Sequence, residues 1–462
     1  MRAFRHPVRS SQRGRGKAFR PALTFAAGTI TSAPYVTPPP AKPDPDQPFW
    51  RDPRMVRGIA VILLVILVAE IGMIARHWVA EVPVRQGMRA AARAERSLGA
   101  GPLSPKRYRL DYERIDARLR AIVARKDMVG LGIAVIEDGQ LAFIKTYGET
   151  RAGSGEKATP QTVWRWASLS KGVAATLEAL LDAQGKLKLD DPIARWSGSL
   201  RLPHDNQNVA TLADALSHRL GVVKNAYDDR LEANEDPAAI RSMYGGLFPM
   251  CPPGTCWAYQ NVGFDVAREA IEKATGLPYD QAARRLLFDP LGMTSATTTR
   301  DGLVGAASWA RPHLGRREIP VQDAYYRVPA AGGVNSSIVD LGIWMRAQMG
   351  GAPHLLPPGL LWEVHVPRVL TPRRGLPPYD LALSDNAYGL AFRTANYAGH
   401  HLVWHRGAVR GSRSEMMFDP VSRFGVAILW NSSSVKPTGF PLELFDAYYG
   451  RPFHDWVEVG RP

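Results

Sequence analysis

The order of strand-like and helical segments is the feature that most limits the folds open to this 462-residue chain. Two β-rich runs, 130–136 and 140–147, stand on either side of Asp138-Gly139, a strong hairpin signal. Helical stretches and loops fill 160–400, and strand-like runs return only near the end, at 401–406, 413–418 and 424–430. We therefore predict an α/β (α+β) domain in which both ends form one antiparallel sheet flanked by helices, with an all-helical subdomain inserted between them.

An apolar segment, 58–75, lies ahead of this domain and contains one charged residue, Glu70. At ~1.5 Å per residue, a helix of this length covers about 27 Å, which is close to the hydrocarbon thickness of a bilayer. Residues 1–57 carry eleven Lys and Arg against three Asp, a net charge of +8 out of +15 for the whole chain. Because basic residues mark the cytoplasmic side of a span, we predict a single-pass anchor in the cytoplasmic (inner) membrane. The N-terminus is then in the cytoplasm, and the domain is periplasmic or otherwise extracytoplasmic.

Other interpretations of the N-terminal region stay open. Residues 76–84 offer no clean small-x-small cleavage site, which favours an uncleaved anchor over a cleaved signal peptide. The run Met55-Val56-Arg57 would make a normal leader start, so translation from Met55 is an alternative. The positive charge invites a nucleic-acid partner, but no nucleic-acid motif accompanies the basic tail, so none is expected.

Composition divides the chain into five parts. Residues 1–54 are Arg-rich and then Pro-rich, which is typical of a disordered tail. The predicted anchor, 55–76, is followed by a polar connector, 77–105, that is rich in Arg and Ala. The globular domain takes up 106–450, and 451–462 form a C-terminal tail.

The stretch Ser168-Leu169-Ser170-Lys171 begins an apolar-periodic segment with the pattern of a helix. Helical spacing places the Ser168 hydroxyl and the Lys171 amine on one face, at an end where unpaired N–H groups stabilise an oxyanion. A nucleophile beside a proton acceptor suits acyl transfer. The same Ser-x-x-Lys spacing recurs in loop sequence at 154–157 and 433–436, so context rather than the pattern selects Ser168. A simple helix cap followed by a surface lysine is the alternative.

Two further motifs carry side chains suited to this chemistry. In Tyr259-Gln260-Asn261, a tyrosinate beside an ammonium group can act as a general base, and the amide can hold a substrate carbonyl. In the strand-like run ending His405-Arg406-Gly407-Ala408, His405 can line a cleft. Gly407 allows close backbone approach, which leaves the next N–H as an oxyanion donor. A tyrosine packed in the core and a structural histidine are the alternatives.

The two cysteines, Cys251 and Cys256, flank a Pro-Pro-Gly-Thr turn. A turn brings such a pair within disulfide distance, and the compartment beyond the membrane is oxidising, so a disulfide is predicted. Two buried free thiols are the alternative. With no histidines partnering these cysteines, we expect no metal site, and the motifs imply no cofactor.

The three motifs, in this order, resemble the serine β-lactamase and penicillin-binding-protein superfamily. The resemblance is to the branch related to class C β-lactamases, which includes D,D-peptidases and esterases, and it covers about 108–450. Further blocks that resemble this branch lie at 213–221, 253–261, 290–293, 331–337 and 418–420.

The resemblance implies a role for each site residue. Ser168 is the acylated nucleophile, and Lys171 is its proton partner. Tyr259 is the general base for acylation and for the deacylating water, and Asn261 orients the substrate. The backbone N–H groups of Ser168 and Ala408 form the oxyanion hole.

One departure from the class C pattern bears on the substrate. Class C β-lactamases usually carry Lys-Thr-Gly where this chain has His405-Arg406-Gly407, and His-x-Gly is seen among peptidase and esterase relatives. We therefore predict a membrane-anchored serine hydrolase that cleaves an ester or amide bond in a small-molecule or peptide substrate. A catalytically silent envelope scaffold with this fold is the alternative, and the sequence leaves the physiological substrate and the oligomeric state open.

Overall fold

Strands from both ends of the domain make up the main sheet. The computed structural model describes residues 108–373 and 376–460. The main sheet has eight strands, and two pairs of short strands form small sheets. In chain order the strands are β1 (Gly130–Glu137), β2 (Gln140–Gly148), β3 (Val163–Arg165), β4 (His313–Leu314), β5 (Arg317–Glu318), β6 (Asn335–Ser337), β7 (Val369–Leu370), β8 (Ser384–Tyr388), β9 (Arg393–Tyr397), β10 (His400–Val409), β11 (Ser412–Asp419) and β12 (Phe424–Trp430).

Most helices lie between β2 and β7, with one helix before the sheet and one after it. In chain order the α-helices are α1 (Tyr112–Val123), α2 (Ser170–Ala183), α3 (Ile193–Trp196), α4 (Leu212–Leu216), α5 (Asp228–Glu232), α6 (Pro237–Met243), α7 (Val266–Thr275), α8 (Tyr279–Ala283), α9 (Asp289–Leu291), α10 (Arg300–Val304), α11 (Pro329–Gly332), α12 (Ile338–Arg346), α13 (Pro358–His365), α14 (Pro378–Leu381) and α15 (Phe440–Tyr448). Short segments of 3₁₀ helix cover Ala167–Leu169, Pro203–Asn208, Tyr244–Gly246 and Ala324–Tyr326, and π-helical turns cover Arg284–Phe288 and Ala347–Gly351.

The strand order brings the first and last strands of the domain together. The main sheet runs β2-β1-β12-β11-β10-β9-β8-β7. β1 pairs antiparallel with β12, which places Leu131 opposite Trp430. The β1–β2 turn has positive φ at both Asp138 (48°) and Gly139 (79°), as a two-residue hairpin turn of the favoured hand requires. The predicted antiparallel sheet, built by both ends of the domain and flanked by helices, is therefore confirmed. The inserted part is not all-helical as predicted, because the short strands β3–β6 pair into two small sheets within it.

Both faces of this sheet are buried, because the side chains of its central strands alternate between two hydrophobic cores. Every residue of β1 and of β12 is buried. Along β12, Ala427 and Leu429 pack with the helices inserted between β2 and β7, whereas Val426, Ile428 and Trp430 pack with α1 and α15. The first of these cores supports the nucleophile segment.

The C-terminal residues pack against the domain. Val457 is buried, Trp456 Nε1 donates to Asp446 Oδ2 at 2.8 Å, and Asp455 pairs with Arg118 of α1. The domain therefore extends past residue 450, where the sequence suggests a tail.

The predicted N-terminal tail (1–54), anchor (55–76) and connector (77–105) lie outside the described residues. Within 108–373 and 376–460, no helix has the length and apolar character needed to cross a membrane.

A buried glutamate on α2 is expected to destabilise the fold. Both carboxylate oxygens of Glu178 are buried without a hydrogen-bond partner, and burial raises the pKa of Glu178 well above its usual value. At pH values between the pKa of Glu178 in the unfolded chain and its higher pKa in the folded protein, the folded state binds more protons than the unfolded state. The free energy of unfolding therefore falls as pH rises through this range. Glu178→Leu should remove the unpaired group and raise the free energy of unfolding at neutral pH by about 1–3 kcal/mol.

Denaturant titrations at several pH values check this prediction. The matched control is Glu443→Leu on α15, which removes a buried carboxylate that Arg118 contacts at 2.8 Å and should lower stability instead. An unfolding free energy for Glu178→Leu that is below the wild-type value at every pH would contradict the prediction.

Candidate active site

The predicted nucleophile lies in a 3₁₀ turn between β3 and α2. From Thr162 to Leu181, Ser168 is the only residue that is not buried. The residue before it, Ala167, has φ of 48°, a left-handed conformation that is costly for a non-glycine residue and that surrounding structure must hold. The Trp166 N–H donates to the Val334 carbonyl at 2.9 Å, and the Ser414 hydroxyl donates to the Trp166 carbonyl at 2.6 Å. The turn thus presents one hydroxyl to solvent from an otherwise buried segment.

The Lys171 side chain is fully buried one helical turn after Ser168. Its Nζ lies 3.4 Å from Ser168 Oγ, 2.8 Å from Asn261 Oδ1 and 2.9 Å from the Ala331 carbonyl oxygen. An ammonium group has three N–H donors, and these three oxygens match them in number. The Tyr259 ring centroid is 4.7 Å from the same nitrogen, within the range of a cation–π contact. The structure therefore brings the first two predicted motifs together.

The Asn261 amide lies between a cationic and an acidic side chain. Its Oδ1 accepts from Lys171, and its Nδ2 donates to Asp228 Oδ2 at 2.7 Å. Two partners of opposite character fix the orientation of the amide. Tyr259, two residues earlier, is partly exposed, and its ring lies 4.2 Å from that of His218.

A directional chain of hydrogen bonds leads to His405 of the third motif. The Gln260 N–H donates to His218 Nδ1 at 3.2 Å, so His218 carries its proton on Nε2 and donates to the Tyr388 hydroxyl at 3.1 Å. The Tyr388 hydroxyl then donates to His405 Nε2 at 2.9 Å, and His405 Nδ1 donates to the Arg406 carbonyl at 2.7 Å. Both histidines are thus neutral in this chain.

Electrostatics favours the same neutral state. Burial lowers the pKa of His218 and of His405 well below the usual value, and the positive charge of Lys171 lowers both further. Both ring nitrogens of His405 form hydrogen bonds inside the protein, to the Tyr388 hydroxyl and to the Arg406 carbonyl. Direct contact between this side chain and a substrate stays a prediction.

Strand β10 approaches the backbone of the nucleophile turn at Gly407. A Cβ atom at this position would lie 2.2 Å from the Trp166 carbonyl oxygen and 2.9 Å from the Ser168 nitrogen. No side chain fits in that space, so glycine is required for the close approach. Ala408, the next residue, is exposed. The oxyanion role of the Ser168 and Ala408 N–H groups stays a prediction.

The cysteines of the Pro-Pro-Gly-Thr turn are linked. Cys251 and Cys256 form a disulfide with a Cα–Cα distance of 6.3 Å, and this closed turn immediately precedes the loop segment that carries Tyr259. Among the residues that the structure describes, no group of three or more His, Cys, Asp and Glu side chains is arranged to hold a metal ion.

Three site residues were not singled out from the sequence. The Ala331 carbonyl holds Lys171, and its block was noted only for its resemblance to the family. Tyr388 links two histidines, and Asp228 holds Asn261. No periodicity or spacing marks Asp228 or Tyr388, because each meets its partner only in the tertiary fold.

Comparison with known proteins finds a family and relatives that match most of the domain. The family model described as Beta-lactamase matches residues 115–447. The unguisins hydrolase ungD′ of Aspergillus campestris is 28% identical over 341 residues, a match that covers 69% of this chain and 61% of that protein. The D-alanyl-D-alanine-carboxypeptidase/endopeptidase AmpH of Escherichia coli K12 is 30% identical over 178 residues, which is 37% of this chain and 45% of AmpH.

A solved structure shows the same fold. The octameric penicillin-binding protein homologue from Pyrococcus abyssi superposes with a TM-score of 0.67 at 21% identity, covering 74% of this chain and 78% of that one. This chain spans less than two thirds of the length of the fungal relative, so the match concerns the domain and not that whole protein. Because the family model covers most of the chain, from α1 through α15, the protein belongs to the Beta-lactamase family.

Proposed function

We propose that this protein is a serine hydrolase that cleaves an ester or amide bond through an acyl-enzyme at Ser168. The observation that carries the proposal is the single accessible hydroxyl of a buried segment, 3.4 Å from the buried Lys171 Nζ. For Ser168 to act as a nucleophile, its hydroxyl must lose a proton as the oxygen attacks the substrate carbonyl. The resemblance to the family assigns Tyr259 as the group that accepts this proton. The Lys171 ammonium group lies over the Tyr259 ring, 4.7 Å from its centroid, which places this phenol beside the same cation as Ser168.

The proposed reaction has two steps. Ser168 Oγ attacks the substrate carbonyl while its proton passes to Tyr259, and the leaving alcohol or amine takes that proton as the carbon–oxygen or carbon–nitrogen bond breaks. A water molecule then attacks the acyl-enzyme, Tyr259 receives its proton, and Ser168 regains a hydroxyl when the acid leaves. The N–H groups of Ser168 and Ala408 would stabilise the oxyanion in both steps.

The third motif favours an esterase or D,D-peptidase over a β-lactamase. A neutral histidine with both nitrogens engaged stands where class C β-lactamases usually carry a lysine. A cation lies nearby on β9: Arg393 is surrounded by the rings of Trp257, Tyr388 and Trp404 at 5.2–5.5 Å. Within the described residues Arg393 has no carboxylate within 4 Å, so it can pair with a substrate carboxylate, a group that D-Ala-D-Ala peptides and β-lactams share.

We further propose that residues 58–75 anchor the protein in the cytoplasmic membrane, with the domain on the periplasmic or extracytoplasmic side. The support is the apolar length of that segment and the basic residues before it. A disulfide-bonded turn agrees with an oxidising compartment.

Covalent labelling tests the catalytic proposal. Protein treated with a fluorophosphonate is expected to carry one adduct, and peptide mapping should place it on Ser168. Ser154, which belongs to a Ser-x-x-Lys pattern in a loop, serves as the internal control and should stay unlabelled. An adduct at another serine, or none, would overturn the mechanism and favour the silent scaffold.

Turnover measurements then separate the substrate classes. An aryl ester, a D-Ala-D-Ala peptide and a chromogenic cephalosporin are compared under the same conditions. We expect the ester or the peptide to be hydrolysed at least about tenfold faster than the cephalosporin, which is a difference of about 1.4 kcal/mol in barrier. Preferred cephalosporin hydrolysis would contradict the assignment of the third motif.

A further inference from the structure

A carboxylate beside the active site takes no part in the mechanism above. Asp228 begins α5, and its Oδ2 accepts the Asn261 amide N–H at 2.7 Å. Its Oδ1 is buried and has no hydrogen-bond partner. An unpaired carboxylate oxygen in a buried position is costly, so its retention needs an explanation.

The contacts of Lys171 depend on its protonation state. Asn261 Oδ1 and the Ala331 carbonyl oxygen can only accept hydrogen bonds, so they take two hydrogens from Nζ whether it is an amine or an ammonium. The third hydrogen-bonding position of Lys171 Nζ faces Ser168 Oγ, and the two atoms are 3.4 Å apart. There, an ammonium donates to the serine, whereas a neutral amine presents a lone pair that accepts the serine proton. The charge of Lys171 therefore decides which way a proton can move.

We infer that Asp228 is a positioning residue that holds Lys171 in its ammonium form and Asn261 in its reactive orientation. Among the described residues, Lys171 has no carboxylate within 4 Å. The side-chain amide of Asn261 lies between Lys171 and Asp228 and hydrogen-bonds to both, so it links the two charges. Opposite charges at such separation in a buried site stabilise each other. With Lys171 kept as an ammonium, the serine proton goes to Tyr259.

The groups around Asp228 agree with this role. Burial raises the pKa of Asp228, the Asn261 hydrogen bond and the Lys171 charge oppose that rise, and the nearby acids Glu232 and Asp229 add to it. On neighbouring elements, Tyr244 and Tyr325 face it, and both are neutral because burial and Asp228 raise the pKa of each phenol. Lys171 is thus a cation whose charge favours the ionised form of Asp228.

The inference rests on the proposed hydrolase function, and it predicts how pH controls activity. Asp228→Asn keeps an acceptor for the Asn261 amide but removes the charge, which favours the neutral amine at Lys171. The pH at which activity falls on the alkaline side should therefore be lower in Asp228→Asn than in the wild type. Asp228→Ala loses the hydrogen bond as well, and should further lower kcat about tenfold or more.

The experiment compares pH profiles of kcat/KM for an aryl ester, and of the fluorophosphonate labelling rate at Ser168, in the full-length protein and its variants. Asp229→Asn is the matched control, because it removes an exposed carboxylate next in sequence without touching Asn261. The control should keep the wild-type profile. Thermal unfolding of each variant confirms that it is folded before its kinetics are compared.

The outcomes distinguish the inference from the proposed function. Wild-type protein with neither turnover nor labelling would mean that the hydrolase proposal fails. If the wild type is active and Asp228→Asn loses activity at the same alkaline pH as the wild type, the role of Asp228 alone would be overturned. Loss of activity in Asp228→Asn without a shift of that pH would also overturn it, because a merely structural carboxylate behaves in that way.

Discussion

Replacing Lys171 by methionine is expected to lower kcat/KM for an aryl ester about 10²–10³-fold, because it removes the ammonium group that contacts the nucleophile, and loss of one preorganised charged donor typically has an effect of this size. Methionine is also a long, apolar side chain, but it lacks the ammonium nitrogen, which lies 4.7 Å from the Tyr259 ring centroid and 5.3 Å from that of Phe264. No carboxylate lies within 4 Å of Nζ in the described region, so the change leaves no directly paired acid stranded in the core. The fold should therefore survive.

Steady-state kinetics and thermal unfolding together check this prediction. Lys157→Met is the matched control, since Lys157 ends a Ser-x-x-Lys pattern but has a side chain that is 75% exposed. That variant should retain wild-type activity. A Lys171→Met protein that unfolds at the wild-type temperature and turns over within tenfold of the wild-type rate would contradict the prediction.

The sheet was predictable from the sequence where short-range signals mark its strands. The Asp138-Gly139 turn and the alternating runs near both ends specify β1, β2 and β10–β12, and these strands lie side by side in the structure. Strands β7–β9 were not predicted. β7 has two residues, and β8 and β9 mix polar and apolar residues, so their pattern carries little local signal.

The candidate site was predictable only as far as its motifs. Ser168 and Lys171 are one helical turn apart, so local geometry brings them together. Asn261 reaches Lys171 from a loop that is distant in the sequence. Only the resemblance of the three motifs to the family predicted that these residues belong to one site. Tyr388 and Asp228 were missed, because each acts through a single polar atom on a partner far away in the chain.

The third motif shows what the fold adds to a sequence pattern. The sequence suggests that His405 lines the substrate cleft, and the fold adds that both of its ring nitrogens connect Tyr388 with the β10 backbone. The glycine two residues later has the more direct effect on the site. Its missing side chain lets β10 lie against the turn that carries Ser168.

Gly407→Ala is expected to lower kcat/KM about 10²-fold or more and to destabilise the domain by about 1–3 kcal/mol. The added methyl would lie 2.2 Å from the Trp166 carbonyl oxygen, 2.3 Å from Ser414 Oγ and 2.9 Å from the Ser168 nitrogen. Two of these contacts are with backbone atoms, so β10 and the nucleophile turn must move apart. Such a shift separates the Ser168 and Ala408 N–H groups, which the proposed oxyanion hole needs at a fixed spacing.

Ester hydrolysis and denaturant unfolding measure the two effects separately. Gly359→Ala is the matched control, because an added Cβ there meets no atom within 4 Å and the residue lies in α13, where alanine is the better helix former. This control should keep its activity and unfold at the wild-type denaturant concentration or slightly above it. If Gly407→Ala matched the control in both measurements, the close approach of β10 to Ser168 would not be what holds the site together. A variant that lost stability but kept kcat/KM would limit Gly407 to packing, whereas loss of both places the glycine in the construction of the oxyanion hole.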